Sequence, residues 1–377
     1  MLFNPYDDFE TAPWPLVVKL KPDELLTSWI TRLSYSHLLK VHTFCNVNFR
    51  GVQVWNRDFD RCVPDSVLKI LSQKTLTPIE RVKESTLVSY ETYLFDRCRK
   101  DTNTDWIMPL QIAHRVRKRC ALLYCPKCLK ADKAEPYYRR KWRLSLSVVC
   151  PQCKCYLHEK CHACSSPVNF HRIELGRREQ IPYFPLTTCY KCLSDLRTAP
   201  VVRAPAALLK MQEKLYQFLD SGYCSEYQCQ YSHLFFSALR QIVKLLCSKV
   251  AVFEKLNRGV CKEMGIEFTP SVGGYAGNFD MLSLGERALI LQKAMWLLDD
   301  WPIRFIRLTR ASKVWSANLL KDFEDAPYWF WKEVKFNNHL VYSEWKKQLA
   351  GYPKYSSYNN FIGSRIKTHS RVKKTAN

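Results

Sequence analysis

The sequence predicts a mainly α, multidomain protein: an amino-terminal helical domain of helix-turn-helix type, a central tandem metal-binding module with short β-strands, and a carboxyl-terminal helical domain. Three observations carry this reading. Apolar residues recur at helical spacing towards both ends of the chain. Cysteine pairs concentrate in one central window. The length of 377 residues exceeds that of one ordinary small domain. The expected boundaries are 1–120, 121–200 and 201–377.

A hydrophobic fraction of 47% with 25% charged residues is globular and excludes a disordered chain. Charge is more informative: 58 Lys and Arg against 35 Asp and Glu leave a formal +23. Such an excess repels itself unless a polyanion offsets it, so DNA, RNA or a ribonucleoprotein is the expected partner. No stretch approaches the roughly 18 apolar residues a membrane helix needs. The start, Met1-Leu2-Phe3-Asn4-Pro5 followed by Asp7-Asp8, lacks the basic-then-apolar order of a signal peptide. A cytoplasmic location is expected, and in a reducing compartment the 17 cysteines read as metal ligands and free thiols rather than disulfides.

In chain order, the first element is a helix over Pro22–Leu33. Leu25, Leu26, Trp29, Ile30 and Leu33 fall on one face, with Asp23 and Glu24 suited to the positive helix start. The other side offers Ser28, Thr31 and the single base Arg32. A base-reading helix brings several basic or amide groups to DNA. This one is therefore expected to be a docking or folding element, packing within the chain, on a second copy or on another protein. A turn and second helix over Ser36–Phe44 would complete a helix-turn-helix.

The central segment changes character. Residues 111–200 hold 18 Lys and Arg against 6 acids, so about half of the net charge sits in a quarter of the chain. Two basic runs, Arg115, Arg117, Lys118 and Arg119, then Arg139, Arg140, Lys141 and Arg143, are expected to touch phosphate or an acidic partner, the alternative being a solvated charged face.

Four Cys-x-x-Cys pairs stand in one 68-residue window: Cys125 with Cys128, Cys150 with Cys153, Cys161 with Cys164, and Cys189 with Cys192. Chance would scatter about one such pair over the whole chain. Two intervening residues let a tight turn bring both thiolates to one ion, and eight thiolates fill two tetrahedral Zn2+ sites. The simplest assignment is sequential, Cys125, Cys128, Cys150 and Cys153 on one ion and Cys161, Cys164, Cys189 and Cys192 on the other. A cross-braced arrangement, first pair with third and second with fourth, is the alternative. A full four-cysteine set leaves no open coordination position, which makes the metal structural. An iron–sulfur cluster also fits four cysteines, but two separated pairs per site match zinc knuckles better. Cys155, His158 and His162 read as neighbours of the sites rather than ligands, and the cysteines at 45, 62, 98, 120, 224, 229, 247 and 261 as buried thiols.

Beyond Ala206 the pattern becomes helical again: Leu208, Leu209, Leu215, Phe218 and Leu219, then Phe235, Leu239, Ile242, Val243 and Leu246, then Ala288 to Leu298. Pro302 marks a break after Trp301. A loop is expected around Gly273, Gly274 and Gly277, and the last stretch, Gly351 to Asn377, carries six cations and no acid.

The run Tyr124-Cys125-Pro126-Lys127-Cys128-Leu129, then Pro136-Tyr137-Tyr138, Trp142, Cys150-Pro151-Gln152-Cys153, Leu157 and Cys161-His162-Ala163-Cys164 resembles the TniQ/TnsD family of transposon target selectors. Pro22, Glu24, Ser28, Trp29 and Arg32 resemble that family's opening helix, and Leu297-Leu298-Asp299-Asp300-Trp301-Pro302 with Phe305 resembles part of its helical carboxyl half. The resemblance covers about residues 20 to 200 and weakens beyond. Many members carry His where Cys153 stands; a thiolate there keeps a tetrahedral zinc site intact.

The resemblance implies a non-enzymatic adaptor that links a target-recognition complex to an AAA+ ATPase and the transposase, in the nucleoid-associated cytoplasm of a bacterium. Members choose the site either by reading attachment-site DNA or by riding on a CRISPR effector complex with its guide RNA; the latter is favoured here. No phosphate-binding loop, nucleophile elbow or His-Glu-x-x-His helix appears. The alternative is a zinc-containing, sequence-specific transcriptional regulator unrelated to transposition.

Overall fold

The computed structural model describes residues 12–174, 185–227, 229–270, 278–323 and 325–337. The glycine loop at Gly273, Gly274 and Gly277 and the basic stretch from Gly351 lie outside them.

The amino-terminal region is helical: α1 (Leu26–Ser36), α2 (Val41–Asn48), α3 (Phe59–Cys62), α4 (Asp65–Thr75) and α5 (Ile79–Glu84). Helix α1 starts later than its sequence suggests. Asp23 takes a left-handed conformation (φ 55°) and Glu24 forms an isolated bridge with Arg139, so neither acid lies at the helix start. That place is taken from afar. Asp60 accepts from the Thr27 N–H at 2.8 Å, and the Ser85 and Tyr138 carbonyls accept from Leu26 and Leu25 at 2.9 and 2.8 Å. These orphan donors need partners, and the neighbouring chain supplies them.

Leu25, Leu26, Trp29, Ile30 and Leu33 are all 0% exposed, packed within the same chain. Each such side chain contributes about 1.5–3 kcal/mol. The polar side of α1 is buried too. Arg32 pairs with Glu24 at 2.8 Å, and Ser28 Oγ accepts from the Tyr138 N–H at 3.0 Å. Of the expected alternatives, a folding element packed within the chain is the one found: this face of α1 is core. Burial pushes the Glu24 carboxyl up to about 7, with Arg32 offsetting only part of the cost.

The central region holds the hairpins β1–β2 (Ile112–Ala113 with Val116–Arg117) and β3–β4 (Val149–Cys150 with Cys155–Tyr156), with helix α6 (Pro126–Ala131) between them. The carboxyl region contains α7 (Ala206–Ser221), the hairpin β5–β6 (Tyr223–Cys224 with Cys229–Tyr231), α8 (Ser232–Cys247), α9 (Ala251–Met264), α10 (Leu284–Asp299) and α11 (Ile303–Ala311), then the short α12 (Ser316–Leu319) and α13 (Tyr328–Lys332). The expected helices over 208–219, 235–246 and 288–298 are α7, α8 and α10. The chain breaks between Asp299 and Ile303, at Pro302. Helix α10 opens on a capping box in which Ser283 and Glu286 satisfy each other's backbone donors, and it packs against α7, α8, α9 and α11.

Candidate metal centres and the basic runs

The eight paired cysteines gather as two groups, Cys125, Cys128, Cys150 and Cys153, and Cys161, Cys164, Cys189 and Cys192, with the sulfurs of each group within 4.8 Å of one another. The pairing is sequential, not cross-braced.

Local chemistry builds each knuckle. Cys125 sits at the amino-terminal cap of α6 with Pro126 at the first helical position, which turns Cys128 back towards it. The other three knuckles share a device: the residue after the second cysteine, Lys154, Ser165 or Leu193, has φ of 53°, 56° or 64°. In the second group the two turns match closely. Cys161 N–H donates to Ser166 O and Ser165 N–H to Cys161 O, both at 2.9 Å, while Cys189 and Ser194 repeat the first bond at 2.9 Å and Leu193 returns to Cys189 at 3.0 Å. These turns aim backbone N–H groups at sulfur: Ala163 and Cys164 at Cys161, and Lys191 and Cys192 at Cys189. A left-handed non-glycine residue costs about 1–2 kcal/mol, which metal binding would offset.

The geometry fits a tetrahedral ion. With Zn–S bonds of about 2.3 Å the sulfur–sulfur edge is about 3.8 Å. The sulfurs of Cys128 stand 3.5 Å from both Cys150 and Cys153, and the pairs Cys161–Cys192 and Cys164–Cys189 are each 3.6 Å apart. Each group could therefore hold a metal ion, and four thiolates would leave it no open position. The sites differ in cover. The first is buried except for half-buried Cys153; in the second, Cys164 is half-buried and Cys192 exposed. The Ser194 hydroxyl, 3.2 Å from Cys192 Sγ, draws that thiol down to about 6.

Of the neighbours, Cys155 is buried beside the first group, whereas His158 bonds the Pro200 carbonyl at 2.9 Å and stacks on Tyr124, and His162 faces solvent. Among the other thiols, Cys45, Cys98, Cys224, Cys229, Cys247 and Cys261 are buried as expected, and Cys62 and Cys120 are half-buried.

The second basic run turns inward. Arg139 forms a bidentate pair with Asp132, both bonds 2.7 Å, between the rings of Tyr137 and Trp142. Arg140 pairs with Asp23 at 3.2 Å and Lys141 with Asp220 at 2.8 Å. Arg143 is wholly buried against Asp58 and Asp60. Burial alone would raise the Asp58 carboxyl, but the Arg143 charge and hydrogen bonds outweigh it and hold it below its usual value. Asp60, bonded to α1, is raised by burial despite Arg143 and Arg117.

In the first run, Arg117 is buried over Phe170, its guanidinium drawn down to about 10 by burial, and Arg119 reaches the Met281 carbonyl at 2.5 Å. Arg115 and Lys118 face outward. The expectation of two solvent-facing cationic runs is corrected for Arg117 and Arg143, which are buried, and for Arg139, Arg140 and Lys141, which neutralise acids of the same chain. Sequence reasoning missed these acids because Asp23, Asp58, Asp60 and Asp220 lie far away along the chain; no local signal marks them.

In a helical protein with two four-cysteine knuckle groups, an ion held by either group would have no open coordination position and would serve structure rather than catalysis. Residues 15–157 of the chain match the TniQ family model. The match runs through the amino-terminal helices and the first cysteine group and ends before the second, short of the 20–200 span expected from resemblance. No curated protein matches the chain. The TniQ domain supports a general role in transposition-associated target selection. Among the described residues no helix is long and apolar enough to cross a membrane.

Proposed function

We propose that this chain is a non-enzymatic target-selection adaptor, linking a CRISPR effector complex and its guide RNA to an AAA+ transposition ATPase and the transposase, with one Zn2+ in each cysteine group. The observation that carries the reading is the TniQ match over 15–157 on a chain whose first cysteine group has the spacing of a closed tetrahedral zinc site. Zinc is favoured because all-thiolate tetrahedral sets suit it. The units 1–120, 121–200 and 201–377 are proposed as the working division, the first two locked by the ion pairs of Arg140 and Arg143. Exposed Arg115 and Lys118 are the proposed phosphate or acidic-partner contacts of the two runs.

Recovery of the tagged full chain, with sequencing of bound nucleic acid and identification of bound proteins, tests this. Guide RNA recovered together with the ATPase supports the proposal. Attachment-site DNA with the ATPase but without guide RNA replaces the effector by direct reading. Promoter DNA with neither ATPase nor transposase favours the transcriptional regulator instead. That second reading draws on the exposed side of α2, where Thr43, Asn46 and Val47 face solvent.

A further inference from the structure

The β3–β4 hairpin places Cys150 and Cys155 directly opposite each other. Cross-strand partners project to the same face with Cβ atoms about 4.5–5.5 Å apart. Cys150 Sγ lies inside the first metal group, 3.5 Å from Cys128 Sγ, so the hairpin carries Cys155 to the rim of the same cluster. Its sulfur stands 3.7 Å from Cys125 Sγ, close to the edge length of the thiolate tetrahedron, and the residue is 1% exposed. Five thiols thus surround four coordination positions. Of the four ligands, Cys153 is the least covered, at the hairpin tip, and Lys154 alone separates it from Cys155.

We propose that Cys155 is a reserve ligand of the first metal site, able to replace Cys153 without dissociation of the ion. This rests on the zinc reading above. In the resting site Cys155 stays protonated and donates its S–H to the Cys125 thiolate. In the exchange, the bond from metal to Cys153 sulfur breaks, the bond to Cys155 sulfur forms, and the Cys155 proton passes to Cys153. The site keeps four thiolates, one thiol and the same charge. A packing thiol would serve equally well as alanine or serine; a reserve ligand would not.

The test uses the full chain as Cys153→Ser, Cys155→Ser and the double variant, reading zinc content, the thiolate-to-metal charge-transfer spectrum with Co2+, and the rate of zinc removal by a chelator. The second site serves as internal reference. Cys153→Ser is expected to keep two ions and a four-thiolate Co2+ spectrum, and the double variant to hold its first ion about 10- to 100-fold more weakly. Cys155→Ser retains all four ligands and hence its fold, and should lose the first ion about 10-fold faster than the parent. Equal weakness of Cys153→Ser and the double variant, or an unchanged release rate in Cys155→Ser, overturns the proposal. A parent chain holding fewer than two ions overturns the zinc reading itself, and this proposal with it.

Discussion

The Arg143 guanidinium meets the Asp58 carboxylate through two hydrogen bonds, 2.7 Å from Nη2 and 3.0 Å from Nη1, with no part of the arginine exposed. Its Nη2 also donates to the Met108 carbonyl at 3.0 Å, and Nη1 approaches Asp60, whose other oxygen bonds the start of α1. A cation from the most basic part of the chain thus ties the central module to the first helix.

Replacing Arg143 by alanine should therefore destabilise the fold by about 3–5 kcal/mol, because it strands Asp58 and Asp60 as buried charges. Arg115→Ala and Lys118→Ala should leave the denaturation midpoint almost unmoved. If those two residues touch duplex phosphate, each loss reduces the salt slope of DNA binding by about 0.9. Denaturant titration beside salt-dependent binding reads both effects. A mild Arg143→Ala, or a slope indifferent to Arg115 and Lys118, would count against this division of labour.

Trp29→Ala should cost about 3–5 kcal/mol, since it opens a cavity at a fully buried site and removes the bond from Trp29 Nε1 to the Val18 carbonyl at 2.8 Å. Arg32→Ala should also harm folding, by stranding Glu24, yet leave DNA affinity of the folded fraction unchanged. A crosslink from Arg32 to a DNA base would sink this reading of α1.

Elemental analysis should find two zinc ions per chain, and graded chelation should remove them in two phases. The second site goes first, because Cys192 is exposed and Cys164 half-buried while the first site leaves only Cys153 partly uncovered. Quantifying released zinc against alkylation of Cys192 by mass spectrometry follows the order. Simultaneous release, or release led by Cys125, contradicts it.

Acid should destabilise the protein through His42 and His171. Burial, then the charges of Arg115 and Arg172, draw His42 down to about 4, and burial with Arg117 takes His171 well below the ordinary 6.5. Both are therefore neutral in the fold while the unfolded chain binds protons below about 6.5. Their stabilisation is complete above that pH and is lost as pH falls through the folded values. Replacing His42 by glutamine should flatten the loss between pH 6.5 and 4 by about 1–2 kcal/mol, allowing for partial exposure. Denaturation midpoints across that range, at matched zinc content, give the comparison; identical pH profiles would exclude His42.

Much of the site was legible in the sequence because its determinants are local. A Cys-x-x-Cys knuckle needs only two spacer residues and a tight turn, so all eight cysteines were readable. The long amphipathic helices were readable for the same reason, their period being set by the helix itself. The β5–β6 hairpin carries no Asn-Gly or Asp-Gly turn signal and is not legible in the sequence, whereas helix α9 does carry a helical period, Val252, Leu256, Val260 and Met264, that the sequence expectation left out.

Only the tertiary structure decided which pairs share a metal group, which face of α1 is core, and which cations reach solvent. Charge placement depends on partners remote in sequence: Arg143 is 85 residues from Asp58 and Arg140 is 117 from Asp23. A basic run reads alike on paper whether its counter-ions are phosphates or its own buried acids. The desolvation cost that separates the two arises only once the chain has folded around it. Cys155 follows the same logic. The sequence places it two residues from a ligand; the cross-strand register with Cys150 sets it at the cluster.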